Sequence, residues 1–152
     1  MNNCQHQPLV LVIDDEPEVL RDVSEVMERA GYTCHCSTNA EAAVAFARSH
    51  YPDLIISDIN LGGQSGLALC ERIKEEKPLK SVPVMFLSGA QIPDIIRRSH
   101  AAGGTYYLRK PFDPAVLVEL ADKALWMPHL IEHRVTQAQP EVVMAAASLG
   151  NA

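Results

Sequence analysis

Five short apolar runs, separated by stretches of helical periodicity, set the narrowest limit on what this chain can fold into. They are LVLVI (9–13), YTCHC (32–36), DLIIS (53–57), VPVMFL (82–87) and TYYL (105–108). The first, third and fourth are almost unbroken apolar, as strands covered on both faces are. The second is mixed, as an edge strand is. Between them, residues 17–30 place Val19, Leu20, Val23, Val26, Met27 and Ala30 on one helical face, with Pro17 in the first turn and Gly31 as the stop. TNAEAAVAFARSH (38–50) opens with Thr38 and Glu41 at capping-box spacing. Residues 65–76 carry Leu69 and Ile73 four apart, and IPDIIRRSHAAGG starts near Pro93 and stops at Gly103–Gly104. DPAVLVELADKALWM has Asp113 as cap, Pro114 at the first helical position, and a stripe of Leu117, Leu120, Ala121, Ala124 and Leu125. Five βα units predict a doubly wound α/β fold: a five-stranded parallel sheet, order 2-1-3-4-5, with helices on both faces.

The unusual polar residues all fall at the ends of the runs. Asp14 and Asp15 follow the first, Asp58 the third, Ser88 the fourth and Lys110 the fifth. In a parallel sheet every strand ends on the same edge, and open α/β sheets bind ligands there, where the strand order reverses. The reversal between the first and third strands brings Asp14, Asp15 and Asp58 together. Adjacent carboxylates beside a low-dielectric core repel one another unless they protonate or meet a cation. Few hard oxygen donors with room for water suit Mg²⁺ better than zinc or copper. The metal and Lys110 offset the repulsion and supply positive charge for the oxygens of a transferring phosphoryl group, to which Ser88 can donate a hydrogen bond. A carboxylate can itself accept the phosphoryl group as an acyl phosphate. Asp58 is the candidate acceptor, because Asp14 and Asp15 more naturally bind metal. Each residue alone has a plainer reading: helix-terminal acids at 14 and 15, a cap at 58, a turn at Ser88–Gly89, a solvated lysine at 110, a half-buried sheet tyrosine at 107. Their common position removes most of the weight of those readings.

Length and composition fit this picture. With 152 residues, 47% apolar and 21% charged, the chain reads as one ordinary globular domain. A chain of this size buries about 68–70% of its unfolded surface and needs no disulfide. The net charge of −6 argues against direct nucleic-acid binding. The start MNNCQHQP has no basic n-region, and no apolar run approaches membrane-spanning length, so a cytoplasmic protein is expected. Cys34-His35-Cys36 lacks the paired spacing of zinc sites, so Cys34 and Cys36 are expected as small buried hydrophobes on one strand face, with His35 pointing away. The domain is expected over 8–126, after an N-terminal extension 1–7 and before a tail or weak extra helix at 127–152.

VIDDEP (12–17), LIISDIN (54–60), FLSGA (86–90) and YYLRKPF (106–112), in that order and each at a predicted strand, resemble the response-regulator receiver domain of two-component signalling over about residues 8–126. The resemblance implies a flavodoxin-like fold, bound Mg²⁺, and phosphotransfer to Asp58 from a histidine kinase or histidine phosphotransfer protein. It implies a metal held by Asp14, Asp15, Asp58 and the backbone carbonyl of Asn60. It gives Ser88 and Tyr107 the role of conformational switch, pairs Lys110 with the acceptor and then the phosphoryl group, and makes the Lys110–Pro111 bond cis. A downstream protein, or a second copy, is expected on the face formed by the fourth predicted helix, fifth strand and fifth helix, residues 92–126. One departure is Gly62, where the family often has Pro, which predicts a more mobile loop. Two other functions fit less well. An aspartate-nucleophile phosphohydrolase would need residues 14 and 16 as nucleophile and acid, and a phosphorylation-independent module usually lacks a carboxylate or the lysine.

Overall fold

The computed structural model describes residues 7–89 and 106–126. The fourth predicted helix, the tail and most of the N-terminal extension lie outside the described residues. Strands β1 (Leu9–Ile13), β2 (Thr33–Ser37), β3 (Leu54–Asp58), β6 (Val84–Ser88) and β7 (Tyr106–Arg109) form one sheet in the order β2-β1-β3-β6-β7. All of its pairings are parallel. This is the predicted order, with β2 at the edge. Helices α1 (Pro17–Arg29), α2 (Ala40–His50), α3 (Gly66–Lys74) and α4 (Pro114–Trp126), with a 3₁₀ turn at Lys77–Leu79, connect and cover the strands.

The period of two along each strand sorts the core into two layers. Leu11, Ile13, Ile55, Phe86 and Tyr107 face α2 and α3, packing with Val44, Cys70 and Ile73. Val10, Val12, Ile56, Met85 and Leu108 face α1 and α4, packing with Val23, Met27, Leu117 and Leu120. Burial of each such side chain contributes about 1.5–3 kcal/mol. The continuous apolar runs are the strands that feed both layers at once.

Several boundaries and contacts differ from the sequence reading. Strands β2, β3, β6 and β7 extend one residue further than their apolar runs. Asp58 and Ser88 are therefore the last residues of strands, held by the ladder opposite Leu87 and Arg109, rather than the first residues of loops. The cap of α2 is Asn39, whose Oδ1 accepts from the Ala42 amide at 2.9 Å. Thr38 does not serve, because Glu41 is drawn away by Arg72 of α3, which donates to both of its carboxylate oxygens at 2.9 and 3.1 Å. Cys34 is half-buried, but Cys36 is exposed, since an edge strand has a neighbour on one side only. His35 does point away, and its ring stacks on Phe46 at 3.7 Å.

The segment after β3, read from sequence as a mobile loop, is a small hairpin. Asn60–Leu61 (β4) pairs antiparallel with Gln64–Ser65 (β5). Gly62 and Gly63 take φ of +58° and +95°, the left-handed values that a two-residue hairpin turn of the primed type requires. Among the described residues no helix is long and apolar enough to cross a membrane.

Candidate functional site

The ends of β1, β3, β6 and β7 bring the predicted residues to one edge of the sheet. Lys110 follows β7, and its amide donates to the Ser88 carbonyl at 2.8 Å, which fastens the end of β7 to the end of β6. The Lys110–Pro111 bond is cis. From there the Lys110 side chain crosses the sheet edge. Its Nζ donates to Asp14 Oδ2 at 2.7 Å and to Asp58 Oδ2 at 3.0 Å. Asp14 and Asp58 are buried, and Lys110 is largely so. One ammonium thus bridges two carboxylates in a screened pocket.

Backbone donors fix the rest. Asp14 Oδ1 accepts from the Glu16 amide at 2.9 Å, at the open N-terminus of α1. Asp58 Oδ1 accepts from the Asn60 amide at 3.1 Å, at the start of the hairpin. On its other side the Asp58 backbone meets Gly66. The Gly66 amide donates to the Ile59 carbonyl at 2.6 Å. A Cβ at residue 66 would overlap the Asp58 carbonyl oxygen and lie 3.0 Å from the carbonyl carbon. Glycine is the residue that permits this approach.

Burial and charge pull against each other here. Desolvation pushes the Asp14 carboxyl above its ordinary range, more than the bonds from Lys110 and the Glu16 amide pull it down. For Lys110, burial disfavours the charge, but hydrogen bonds and attraction from Asp14 and Asp58 together outweigh it and raise its pKa. The pocket therefore holds its cation firmly and one of its anions at a cost.

Asp15 is exposed and lies apart from the lysine bridge. Its carboxylate, with those of Asp14 and Glu16, forms a group whose oxygens lie within 4.8 Å of one another. Hard oxygen donors in this arrangement, open to water on one side, fit a hydrated Mg²⁺. Glu16 is not assigned by the sequence reading, although it stands in the same acidic run. The tip of the hairpin sits over Asp15: a Cβ at Gly62 would lie 3.4 Å from Asp15 Oδ2.

Ser88 is buried at the end of β6, and its side chain is hydrogen-bonded to the Tyr107 hydroxyl. Burial raises the Tyr107 pKa, and that bond opposes the rise. Of the two adjacent tyrosines, Tyr107 therefore faces the α2/α3 layer and meets Ser88, while Tyr106 faces the α1/α4 layer. Beside the pocket, α1 and residues 110–114 enclose a groove of about 560 Å³. Its walls are Val19, Val26, Pro111, Phe112 and Pro114, with Glu16, Asp22, Glu25 and Lys110 around them.

The sequence and the fold are similar to those of known proteins. The sequence profile of the response regulator receiver domain matches residues 10–122. The chain is 32% identical to the DNA-binding transcriptional regulator NtrC of Salmonella typhimurium over 132 residues, which is 87% of this chain and 26% of that protein. It is 32% identical to the phosphate regulon regulatory protein PhoB of Pseudomonas aeruginosa over 109 residues, 72% of this chain and 48% of that protein. The chain thus spans a quarter to a half of the length of these relatives. Among solved structures, the chemotaxis response regulator CheY4 of Vibrio cholerae superposes with a TM-score of 0.73 at 28% identity, covering 78% of this chain and 99% of CheY4. The signal receiver domain of a histidine kinase from Syntrophus aciditrophicus gives 0.71 at 30% identity, covering 78% and 89%. On the profile, the relatives and the fold together, this chain belongs to the response regulator receiver domain family.

Proposed function

We propose that Asp58 is the phosphoryl acceptor, that Asp14 and Asp15 hold Mg²⁺ with Asp58 and the Asn60 carbonyl, and that Ser88, Tyr107 and Lys110 carry the response. Receiver domains of this family accept phosphoryl groups in two-component systems, are phosphorylated by histidine kinases and generally bind Mg²⁺ at their acidic pocket. The observation that carries the assignment is the bridge from Lys110 Nζ to Asp14 at 2.7 Å and Asp58 at 3.0 Å. It gives Asp58, like Asp14, a cation in contact and a backbone donor fixing its rotamer, and Asp14 stands with Asp15 in the acidic group that suits the metal, which leaves Asp58 as the acceptor.

In the proposed reaction a carboxylate oxygen of Asp58 attacks the phosphorus of a phosphohistidine on the donor. The phosphorus–nitrogen bond breaks, the imidazole leaves with the bonding pair and takes a proton from solvent, and an aspartyl phosphate remains. Asp14, Asp15, Asp58 and the Asn60 carbonyl would hold Mg²⁺, which when bound would supply positive charge for the carboxylates and phosphoryl oxygens. The Asn60 amide keeps Asp58 oriented, and burial keeps competing water few. Lys110 passes from the Asp58 carboxylate to a phosphoryl oxygen. Ser88 exchanges its bond with Tyr107 for one to the phosphoryl group. Each has a different partner before and after transfer, as a switch requires. The donor approaches past the groove between α1 and residues 110–114, whose acidic rim suits a basic surface.

The unit of function is residues 8–126, in the cytoplasm, with 1–7 and 127–152 flanking it. Output passes to a protein partner or a second copy across the face of residues 92–126. Its described part is β7 and α4, and Ile92, Arg97, Arg98 and His100 lie outside the described residues. The net charge of −6 supports a protein partner rather than nucleic acid for this segment.

Incubation with acetyl phosphate and Mg²⁺ tests the assignment. One hydroxylamine-labile phosphoryl group per chain is expected on wild type, and none on Asp58→Asn or with metal chelated. Stoichiometric labelling of Asp58→Asn would place the acceptor elsewhere, and sustained turnover of small phosphate esters would favour the hydrolase.

A further inference from the structure

We infer that Cys34 and Cys36 form a two-thiolate site for a soft monovalent cation, Cu(I), on the α1 side of the edge strand β2. The site is separate from the phosphoryl-accepting pocket and does not depend on how that pocket is read.

The strand sets the geometry. Side chains two apart on a strand point to the same face. Cys34 packs against the α1/α4 layer. Cys36 lies over α1, where its Sγ donates to the Leu20 carbonyl at 3.9 Å. His35, between them, points to the opposite face and stacks on Phe46. The motif therefore presents two sulfurs together and no imidazole. Two residues along a strand span about 6.6 Å, whereas a disulfide needs its Cβ atoms about 3.5–4.5 Å apart. The pair cannot close a disulfide without distorting the strand. Two sulfurs that each lie about 2.3 Å from one metal ion are at most about 4.6 Å apart, and thiols turned toward each other from such Cβ positions span that gap.

The chemistry selects the ion. Cys36 is exposed, so a core role does not account for it. Burial, then the charges of Glu28 and Cys36, push the Cys34 thiol up to about 12. Burial also raises Cys36, against a hydrogen bond with Ser24. Both groups are protonated near neutrality, and a hard cation such as Mg²⁺ does not displace those protons. Soft thiolates select Cu(I). Its binding releases one proton from each thiol and leaves a copper dithiolate with one net negative charge, open to water on the Cys36 side. Structural zinc takes four ligands, and among the described residues no third His, Cys, Asp or Glu joins this pair in a metal-sized group.

The test is an anaerobic Cu(I) titration against a chromophoric chelator, on the full chain carrying Cys4→Ser, since Cys4 is a further thiol outside the described residues. One copper per chain is expected, with two sulfur neighbours by X-ray absorption. Cys34→Ser and Cys36→Ser should each weaken binding more than about 100-fold, beyond what an outer-sphere partner contributes. Cys36→Ser changes an exposed residue, so it keeps the test valid if Cys34→Ser fails to fold. His35→Ala should bind as the parent does. Failure of the parent to compete with the chelator, parental affinity in Cys36→Ser, or equal weakening in His35→Ala would overturn the inference. One copper per two chains would also overturn it, by moving the ion to an interface between copies.

Discussion

Replacing Gly66 with alanine puts a methyl group in place of a hydrogen at a tight backbone crossing near the acceptor. The new Cβ would overlap the Asp58 carbonyl oxygen and press on the Ile59 Cα at 3.1 Å. Neither atom is the end of a flexible side chain, so α3 or the end of β3 has to move. Overpacking of this kind costs about 1–3 kcal/mol. Moving α3 also stretches the 2.6 Å hydrogen bond from Gly66 to Ile59, worth about 1 kcal/mol. A loss of about 3 kcal/mol lowers the melting temperature of a domain this size by roughly 10–15 °C. Urea unfolding of Gly66→Ala beside two reference variants provides the assay. Gly63→Ala meets no atom within 4 Å but has φ of +95°, so it is expected to lose about 1 kcal/mol through backbone strain alone. A Cβ at Gly89 meets no atom within 4 Å and its φ lies outside the left-handed region, so Gly89→Ala should be neutral. Because the displaced atom belongs to the acceptor, Gly66→Ala should also accept phosphoryl groups more slowly under conditions where it is still folded. A stability within about 0.5 kcal/mol of wild type, with unchanged labelling, would refute the claim that this close approach positions Asp58.

Asp14→Asn is expected to stabilise the fold at neutral pH by about 1 kcal/mol, as relief of a strained functional site commonly does, while weakening Mg²⁺ binding. Burial raises the Asp14 pKa above 3.8, so the folded state binds more protons there than the unfolded one and wild type loses stability as pH rises through that window. The gain of Asp14→Asn should therefore vanish below pH 3.8 in a pH series of unfolding curves. A variant less stable than wild type at pH 7 would mean that the Lys110 bond outweighs burial. Lys110→Ala should still label at Asp58, more slowly, yet fail to show the beryllofluoride-induced change in amide exchange across residues 106–126; a wild-type exchange response would remove Lys110 from the switch. Asn39→Ala should cost about 1 kcal/mol in thermal unfolding and Thr38→Ala much less, and the reverse order would restore the capping box.

The strands and the gathered polar residues were legible because each depends on short-range pattern. A run such as LVLVI buries both faces, so its identity as a central strand and the position of Asp14 at its end follow together. The sheet edge was legible for the same reason in YTCHC. What sequence hides is competition and backbone sign. Thr38 and Asn39 are both good caps, and the choice between them turns on Glu41 meeting Arg72 from another helix. Gly62–Gly63 in a polar stretch reads equally as loose loop or tight hairpin until both φ values are known. Gly66 carries no chemistry that would mark it, and its role exists only where α3 crosses β3. Glu16 was visible in the acidic run, but which of three neighbouring acids face one another is settled by the turn into α1.

The Tyr32 hydroxyl donates to Asp122 of α4 and accepts from Trp126 Nε1 at 3.3 Å. Trp126 is the one tryptophan of the chain, and 63% of its surface is open to solvent. The protein therefore carries its own optical reporter at the end of its last described helix. Selective excitation of that indole reads a single location, with an emission colour set by water. Any event that covers the end of α4 will shift the emission to the blue. One that loosens the helix from Tyr32 will alter its lifetime, and the two can be told apart in a cuvette without attaching a dye.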